Sequence, residues 1–257
     1  MAGGFGSRIS EESHLKPKPM IEIGERPILW HIMKGYSQQG YADFIICAGY
    51  KQHVIKEYFT DYYLSMSDVE FDFTSGKRTI NYLGTEVEPW HVVVSDTGYD
   101  TMTGGRIDRI RRYVEGERFM LTYGDGVSDI DLADLLAFHE ESGAVVTLTG
   151  VHAAQRFGVL GIDAEGKVND FREKRGGDGY VNGGFMVCEP EVFDYIGITG
   201  DSSREDFSSV TLEAIAADGK LACYRHDGFW GCMDALRDKN WLEGLWSSGE
   251  APWKTWE

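Results

Sequence analysis

Two spacings of apolar residues alternate along the first 150 residues of the chain. Apolar side chains recur at the three-to-four-residue interval of a helix in segments 27–39, 52–59, 105–114 and 131–139. Between them, continuous apolar runs suit strands buried on both faces of a sheet: 43–48, 92–94, 119–123 and 145–149. This alternation predicts an α/β fold, a Rossmann-like three-layer αβα arrangement around a mainly parallel mixed sheet. In such sheets ligands bind beyond the carboxyl ends of the strands.

From residue 156 onwards the pattern changes to shorter pieces. Brief apolar runs predict strands at 157–162, 168–171, 185–188 and 221–224. A helix is predicted at 234–246, and an alternating pattern on either side of Ser75-Gly76 predicts a hairpin formed by 69–73 and 79–83. No repeat, linker or low-complexity stretch divides the chain, so we predict one continuous domain over residues 1–257.

Charge and cysteine content exclude several classes of protein. The formal net charge of -17 at pH 7 disfavours nucleic acid, whose phosphates would be repelled, whereas a small anionic ligand needs only a local basic pocket. The four cysteines form no C-x-x-C pair, which argues against a zinc site and a disulfide framework. No apolar run approaches the ~20 residues of a membrane span. We therefore expect a cytoplasmic enzyme or binding protein.

Glycines and basic residues are concentrated at the beginning of the chain. Gly3, Gly4 and Gly6 allow backbone amides to turn inward, and Arg8 and Lys18 supply positive charge nearby. This combination indicates a polyphosphate cradle, although its spacing matches neither the P-loop nor the dinucleotide fingerprint. On the glycines alone, an ordinary turn with solvated charges is the simpler interpretation.

Two aspartates stand at positions suited to a metal ion. Asp125 lies between two glycines directly after the run 119–123, and Asp234 follows an aromatic loop. Mg²⁺ is commonly held by one or two carboxylates together with phosphate oxygens. The alternative for Asp234 is a helix N-cap, which its position before a predicted helix also fits.

Further polar residues occur in the second half and in the helix at 105–114. Glu173 and Lys174 follow a predicted strand, with Asn182 and Gly183 about ten residues on; such groups can bind sugar hydroxyls and a sugar phosphate, or form only a surface ion pair.

In the helix at 105–114, the spacing puts Ile107, Ile110 and Val114 inward and the arginines outward, where basic side chains are usually solvated. These outward residues are Arg106, Arg109 and Arg112.

Taken together, these motifs resemble the sugar-1-phosphate nucleotidylyltransferases over residues 2–257. The segment 3–8 looks like the family's G-G-x-G-[ST]-R loop, with Ser7 for the commoner threonine, and segments 102–106, 123–127 and 251–257 are similar to its cytidylyl subgroup. Arg175 stands where the family usually has proline. The resemblance implies a nucleotide site of Gly3, Gly4, Gly6, Ser7, Arg8, Lys18, Thr103, Gly104 and Gly105. It implies a sugar-phosphate site of Gly158, Glu173, Lys174, Asn182 and Gly183.

The resemblance also implies a reaction and its partners. Residues 1–150 would form the nucleotide-binding half and 151–257 the sugar-phosphate-binding half. CTP and glucose 1-phosphate would give CDP-glucose and pyrophosphate, with Mg²⁺ on Asp125 and Asp234, and Arg8, Lys18 and Asp125 as the catalytic residues. A homo-oligomer is implied as well. A uridylyl- or thymidylyltransferase, or a non-catalytic nucleotide-sugar-binding module, is the alternative.

One expectation concerns the start of the chain. In the family a short apolar strand precedes the glycine loop, whereas here only Met1 stands before Ala2. A rigid strand is needed to aim the amides of Gly3 and Gly4, so we expect about five apolar residues of a central strand to be absent ahead of Met1.

Overall fold

The computed structural model describes residues 1–4, 16–74, 76–85, 87–114, 116–152, 159–162, 167–172 and 179–256. The strands are β1 Glu22–Ile23, β2 Arg26–Pro27, β3 Asp43–Ala48, β4 Ser67–Asp72, β5 Thr79–Thr85, β6 His91–Asp96, β7 Phe119–Leu121, β8 Gly126–Ser128, β9 Val146–His152, β10 Val159–Ile162, β11 Val168–Arg172, β12 Tyr180–Asn182, β13 Met186–Cys188, β14 Leu221–His226 and β15 Trp230–Cys232. The α-helices are α1 Ile28–Gln38, α2 Gln52–Thr60, α3 Tyr62–Met66, α4 Thr103–Arg109, α5 Arg111–Val114, α6 Leu132–Ser142, α7 Leu212–Ala217 and α8 Leu236–Ser247. Shorter helical turns occupy Lys18–Met20, Pro190–Tyr195, Ser202–Arg204 and Phe207–Thr211.

The largest sheet is mixed and is built around β9. This strand pairs in parallel with β14 and antiparallel with β12 and β13, and β13 continues the sheet to β7. The predicted α/β class is confirmed, but parallel pairing does not predominate: among the strands of the described residues, the parallel pairs are β9–β14 and β3–β6, beside isolated parallel bridges such as Ala2 with Ala48. The other pairings of the largest sheet are antiparallel: β9 with β12 and β13, β13 with β7, and β10 with β11 and β12.

Helices cover both faces of this sheet. Val187 of β13 belongs to one core cluster, with side chains from α1, α6 and α8. Its neighbours Met186 and Cys188 belong to a second cluster, with side chains from α4 and α7. Because successive residues of a strand point to opposite faces, these two clusters lie on the two sides of the sheet. The three-layer αβα prediction therefore agrees with the packing of β13.

The helix boundaries follow from local sequence signals. Asp131 caps α6 by accepting hydrogen bonds from the amides of Ala133 and Asp134 at 2.8 and 3.0 Å, and Gly143 ends the helix with a positive φ of 60°. The predicted hairpin is β4–β5. Across the described residues, none of the helices combines the length and apolar character needed to cross a membrane.

A gap separates the edge of β3 from the edge of β7. Met1 and Ala2 bridge its near end: the Ala2 amide donates to the Cys47 carbonyl oxygen, and the Met1 amino group donates to that of Thr122, both at 2.9 Å. The rest is an apolar slot of about 400 Å³, whose lining includes Phe44 and Met120. Within the described residues, this edge of β3 has no strand partner beyond the bridge at Ala2.

The apolar slot has the position that an additional strand of the sheet would take. The expectation of about five apolar residues ahead of Met1 stays a prediction, as does the division of the chain into two halves near residue 150. The sheet itself runs across that division, because β13 of the second half pairs with β7 of the first.

Candidate active site

Two paired strands bring Asp125 and Asp234 together. β8 and β15 run antiparallel with Gly126 opposite Cys232, so the residues just outside this ladder are neighbours. The Met233 amide extends the pairing by donating to the Asp125 carbonyl oxygen at 2.8 Å. Two aspartates that are distant in sequence thus lie at the same edge of the sheet.

The ammonium group of Lys18 lies between the two carboxylates. Its Nζ atom is 2.6 Å from Oδ2 of Asp125 and 2.9 Å from Oδ1 of Asp234. The Lys18 side chain is only 13% exposed, and those of the aspartates are 24% and 21% exposed. Burial alone would lower the pKa of Lys18, but the charge of Asp125 and the hydrogen bonds to both carboxylates raise that pKa above its ordinary value. Lys18 is therefore charged, and these three residues form what we call the charged cluster.

Asp234 does not cap the helix that follows it. The helix α8 begins at Leu236, and Ala235 is its N-cap residue. The carboxylate of Asp238 accepts the amides of Asp234 and Ala235, at 3.1 and 2.8 Å, so a residue inside the first turn satisfies these donors. The N-cap alternative for Asp234 is wrong, and its carboxylate faces Lys18 instead.

The charged cluster has the chemistry of a site for a hard cation. Asp125 and Asp234 supply carboxylate oxygens, the ligand type that Mg²⁺ prefers, and they already converge on one cationic group. No group of three or more histidine, cysteine or acidic side chains able to hold a metal occurs in the described part of the chain. A metal bound by these two residues would take its other ligands from phosphate or water, as Mg²⁺ commonly does.

A cleft of about 330 Å³ adjoins the charged cluster. Five of the predicted site residues line it: Gly3, Gly4, Lys18, Thr103 and Asp125. The structure therefore brings the glycine segment, the predicted phosphate lysine and one predicted metal ligand into one cavity. Asp234 is linked to it through its ion pair with Lys18.

Arg106 is buried rather than solvated, contrary to the prediction from helical spacing. It is 4% exposed and lines the same cleft. Its guanidinium donates to the carbonyl oxygens of Gly3 and Gly98, at 2.9 and 2.8 Å, and to the Thr97 hydroxyl at 2.9 Å. Burial lowers the pKa of Arg106. Helical spacing gave a wrong prediction for Arg106 because the partners of its buried charge are mainly backbone carbonyl oxygens. No pattern of side chains along the sequence shows where such oxygens lie.

The glycine segment packs directly on this arginine. A Cβ atom on Gly3 would overlap the Arg106 guanidinium, so a larger residue would force this buried and hydrogen-bonded side chain to shift. The Gly3 carbonyl also accepts the amide of Tyr50 at 3.3 Å. We call Gly3, Gly4 and Arg106 the glycine side of the cleft.

Thr103, Gly104 and Gly105 form the beginning of α4. A Cβ atom on Gly104 or Gly105 would come within 2.9 or 2.6 Å of the carbonyl oxygens of Glu205 and Ser202, so these glycines allow close packing of the helix. The Thr103 hydroxyl donates to Asp206 at 2.8 Å and accepts the Phe207 amide at 2.7 Å. Of the three, only Thr103 lines the cleft.

Asn182 and Gly183 lie at the end of β12 and connect to the cleft through Tyr123. Asn182 Nδ2 donates to the Tyr123 hydroxyl at 3.5 Å, and that hydroxyl also bonds Ser208 at 2.9 Å. Tyr123 lines the cleft. The Gly183 carbonyl oxygen accepts the Trp230 indole N–H at 2.8 Å. The remaining predicted site residues lie outside the described residues: Gly6, Ser7, Arg8, Gly158, Glu173 and Lys174.

Comparison with known proteins decides the family. Residues 1–243 match the family described as "Nucleotidyl transferase". The chain belongs to this nucleotidyl transferase family. Glucose-1-phosphate cytidylyltransferase of Salmonella typhi is 51% identical, over 100% of this chain and 98% of that protein. A Bacillus subtilis (strain 168) protein named "Probable glucose-1-phosphate cytidylyltransferase" is 41% identical over the same shares.

A solved structure shows the same fold. HddC from Yersinia pseudotuberculosis superimposes with a TM-score of 0.71 at 22% identity, covering 95% of this chain and 96% of that one. In this nucleotidyl transferase, the cleft residues that sequence reasoning missed include Arg106, Tyr123 and Asp206. The first two occur in segments 102–106 and 123–127, which the family resemblance had already singled out. Asp206 carried no signal in the sequence.

Proposed function

We propose that this chain transfers the cytidylyl group of CTP to α-D-glucose 1-phosphate, giving CDP-glucose and pyrophosphate. The observation that carries the proposal is the charged cluster, which combines one cation and two carboxylates at the edge of a cleft lined by Gly3 and Gly4. The choice of CTP and glucose 1-phosphate is supported by the name of the Salmonella typhi relative at 51% identity.

The proposed reaction needs positioning and charge neutralisation rather than a general base. A phosphate monoester has its second pKa near ~6, so the attacking oxygen of glucose 1-phosphate is largely deprotonated at neutral pH. The barrier comes from bringing two anions together in line and from negative charge on the departing pyrophosphate. Cationic side chains and a metal ion would lower both contributions to the barrier, because they hold the two anions together and offset the charge of the departing pyrophosphate.

On the nucleotide side, the amides of Gly3, Gly4, Gly6 and Ser7, with Arg8 and Lys18, would hold the β- and γ-phosphates of CTP. Gly3, Gly4 and the turn of Thr103, Gly104 and Gly105 would lie near the base. Asp125 and Asp234 would hold Mg²⁺, which when bound neutralises negative charge on the phosphate oxygens during transfer. Arg106 would keep the glycine segment in place through its hydrogen bond to the Gly3 carbonyl oxygen.

On the sugar side, Lys174 would orient the attacking phosphate, and Gly158, Glu173, Asn182 and Gly183 would bind the sugar. Tyr123 connects the sugar side to the cleft, because it lines the cleft and its hydroxyl group hydrogen-bonds Asn182 and Ser208. A homo-oligomer and a cytoplasmic location complete the proposal. Light scattering of the purified chain tests the first.

Pyrophosphate release tests the reaction itself. CTP, UTP, dTTP, GTP and ATP are supplied in turn, with and without glucose 1-phosphate, and the nucleotide sugar is identified by mass spectrometry. We expect release only with CTP and glucose 1-phosphate together. A preference for UTP or dTTP would establish the uridylyl or thymidylyl alternative. No release with any nucleotide, together with calorimetric binding of CDP-glucose, would establish a non-catalytic binding module.

A further inference from the structure

Lys18 holds the position that a metal ion would need. Its ammonium Nζ atom is within hydrogen-bond distance of one oxygen of each carboxylate, 2.6 Å from Asp125 and 2.9 Å from Asp234. A divalent ion coordinated at 2.0–2.1 Å by the same two oxygens would occupy nearly the same volume. The ammonium and the ion therefore compete both for space and for the charge of the carboxylates.

The side chain of Lys18 is flexible enough to move away from the two carboxylates. It stands at the first residue of the short turn Lys18–Met20, and its charge sits at the end of a flexible four-carbon stem. Within the same cleft, the phosphates of a nucleoside triphosphate would offer a new set of anionic oxygens. Lysine binds phosphate as a point charge, so it can change partners without the fixed geometry that arginine requires.

We propose that Lys18 is an internal counter-ion that excludes divalent metal from Asp125 and Asp234 until a nucleoside triphosphate arrives to take the ammonium group. The metal site is then completed only when nucleotide is bound. This inference rests on the proposed metal role of the two aspartates, and it adds an order of binding to that role. Lys18 acts here as a positioning residue whose single positive charge offsets one of the two negative charges of Asp125 and Asp234 in the nucleotide-free protein.

The test is the affinity of the nucleotide-free protein for Mn²⁺, measured from the electron paramagnetic resonance signal of the free ion. Lys18→Met removes the charge and keeps a chain of similar length, so we expect it to bind Mn²⁺ at least ten times more tightly than the unsubstituted protein. Lys18→Arg keeps a cation and should show no such gain. Adding Asp125→Asn to Lys18→Met should abolish the gain.

Lys34→Met is the matched control. Lys34 is paired with Glu88 at 2.8 Å, and its side chain is 15% exposed, close to the 13% of Lys18. Lys34→Met removes the same charge from a similarly buried ion pair away from the cleft, so the Mn²⁺ affinity of this variant should equal that of the unsubstituted protein. A gain in Lys34→Met equal to that in Lys18→Met would reduce the effect to net charge and overturn the proposal.

A second measurement uses the unsubstituted protein and so does not depend on how well Lys18→Met folds. Acetylation of each lysine by acetic anhydride is followed by mass spectrometry. Lys18 should react slowly without additions and no faster when Mg²⁺ alone is added, because its ammonium group keeps the metal from the two carboxylates; Lys34 should not respond either. A rise in Lys18 reactivity with Mg²⁺ alone, or a Lys18→Met affinity equal to that of the unsubstituted protein, contradicts the proposal. Neither readout uses CDP-glucose formation, so failure of this inference is separable from failure of the proposed reaction.

Discussion

The two sides of the cleft are supported in different ways. The charged cluster stands on the β8–β15 ladder, and the Phe229 ring just before β15 stacks on Trp253 at a centroid distance of 5.4 Å. The glycine side follows a two-residue segment, Met1 and Ala2, which touches the edges of β3 and β7 through one hydrogen bond to each. The apolar slot adjoins that segment and lies between the edges of β3 and β7.

The charged cluster is therefore held by many contacts, whereas the glycine side is held by few. A ladder with a packed aromatic core behind it positions its carboxylates by many small interactions, so no single one is decisive. The glycine side depends on a few identifiable hydrogen bonds, above all those of Arg106. Changes to the carboxylates should therefore affect chemistry alone, whereas changes to the glycine side should affect stability and nucleotide binding together.

The largest effect is expected from the carboxylates. Asp125→Asn and Asp234→Asn should each lower the rate of pyrophosphate release at least ~100-fold, because each removes a charge that would hold the metal. Circular dichroism and melting temperature should stay close to those of the unsubstituted protein. Asp131→Asn is the control: it keeps the N-cap of α6 and lies outside the cleft. Normal turnover in Asp234→Asn would remove that residue from the metal site.

The two proposed phosphate lysines should differ in the substrate they affect. Lys18→Ala should chiefly raise KM for CTP or lower kcat, and Lys174→Ala should chiefly raise KM for glucose 1-phosphate. Each change should be about tenfold, the loss of one charge-assisted hydrogen bond. Steady-state kinetics with each substrate varied in turn measures both. An equal rise in both KM values for Lys174→Ala would contradict its assignment to the sugar phosphate.

Filling the apolar slot should make the glycine side more rigid. An extension of five apolar residues ahead of Met1 would bury side chains worth roughly 1.5–3 kcal/mol each, against a chain-ordering cost of roughly 1–2 kcal/mol per residue. A net gain of a few kcal/mol would raise the melting temperature by about 10 °C. CDP-glucose formation should rise several-fold as well.

A polar extension of the same length, with serine and glycine, is the control for chain length. It should change neither melting temperature nor activity. If the apolar extension melts no higher than the control, the two bridging hydrogen bonds of Met1 and Ala2 are sufficient to anchor the glycine segment.

Arg106→Lys should weaken the glycine side with a smaller effect. Arg106 uses two nitrogens, Nη1 for the Gly98 carbonyl oxygen and Nη2 for that of Gly3, whereas lysine offers one nitrogen on a shorter chain. We expect one of these contacts to be lost, and a buried acceptor without a donor costs about 1–3 kcal/mol. We expect a melting temperature lower by a few degrees and KM for CTP raised about threefold. Arg112→Lys, at an exposed position of α5, is the control and should change neither. A change in kcat without a change in stability would argue for direct contact with the reacting groups.

The smallest effect on turnover at neutral pH is expected from the aromatic packing behind the charged cluster, which acts through the pH dependence of stability. Burial, the largest cause, lowers the pKa of His31 to about 4, and the side chain is 1% exposed between Ile23 and Trp253. The unfolded chain takes up a proton near pH ~6.5 and the folded chain only near pH 4, so stability falls as pH drops between these values. The loss reaches up to about 3 kcal/mol.

Urea unfolding at several pH values between 4 and 7 measures this slope. His31→Gln, which has no titrating ring, should show a flatter slope than the unsubstituted protein. His91→Gln changes an exposed histidine paired with Asp43 and serves as the control. Equal slopes for His31→Gln and the unsubstituted protein would contradict the prediction.

The sequence by itself determined the α/β class, most element positions and two of the charged residues of the cleft, Lys18 and Asp125. Helical spacing, apolar runs and glycine turns are local signals, and they predicted α1, β3 and α6 correctly because those elements bury one face in the usual way. The motif residues Gly3, Lys18 and Asp125 were predictable as candidates because together they match the motifs of the family that the chain resembles; on the glycines alone, an ordinary turn was the simpler interpretation.

Only the tertiary structure decided how those residues meet. The pairing of Asp125 with Asp234 depends on the β8–β15 ladder, which joins strands about a hundred residues apart, and no local pattern records such a register. The burial of Arg106 depends on carbonyl groups of Gly3 and Gly98, which are identical in every sequence. Strand pairing and backbone acceptors belong to the folded chain rather than to side-chain types, so they stayed invisible until the structure was known.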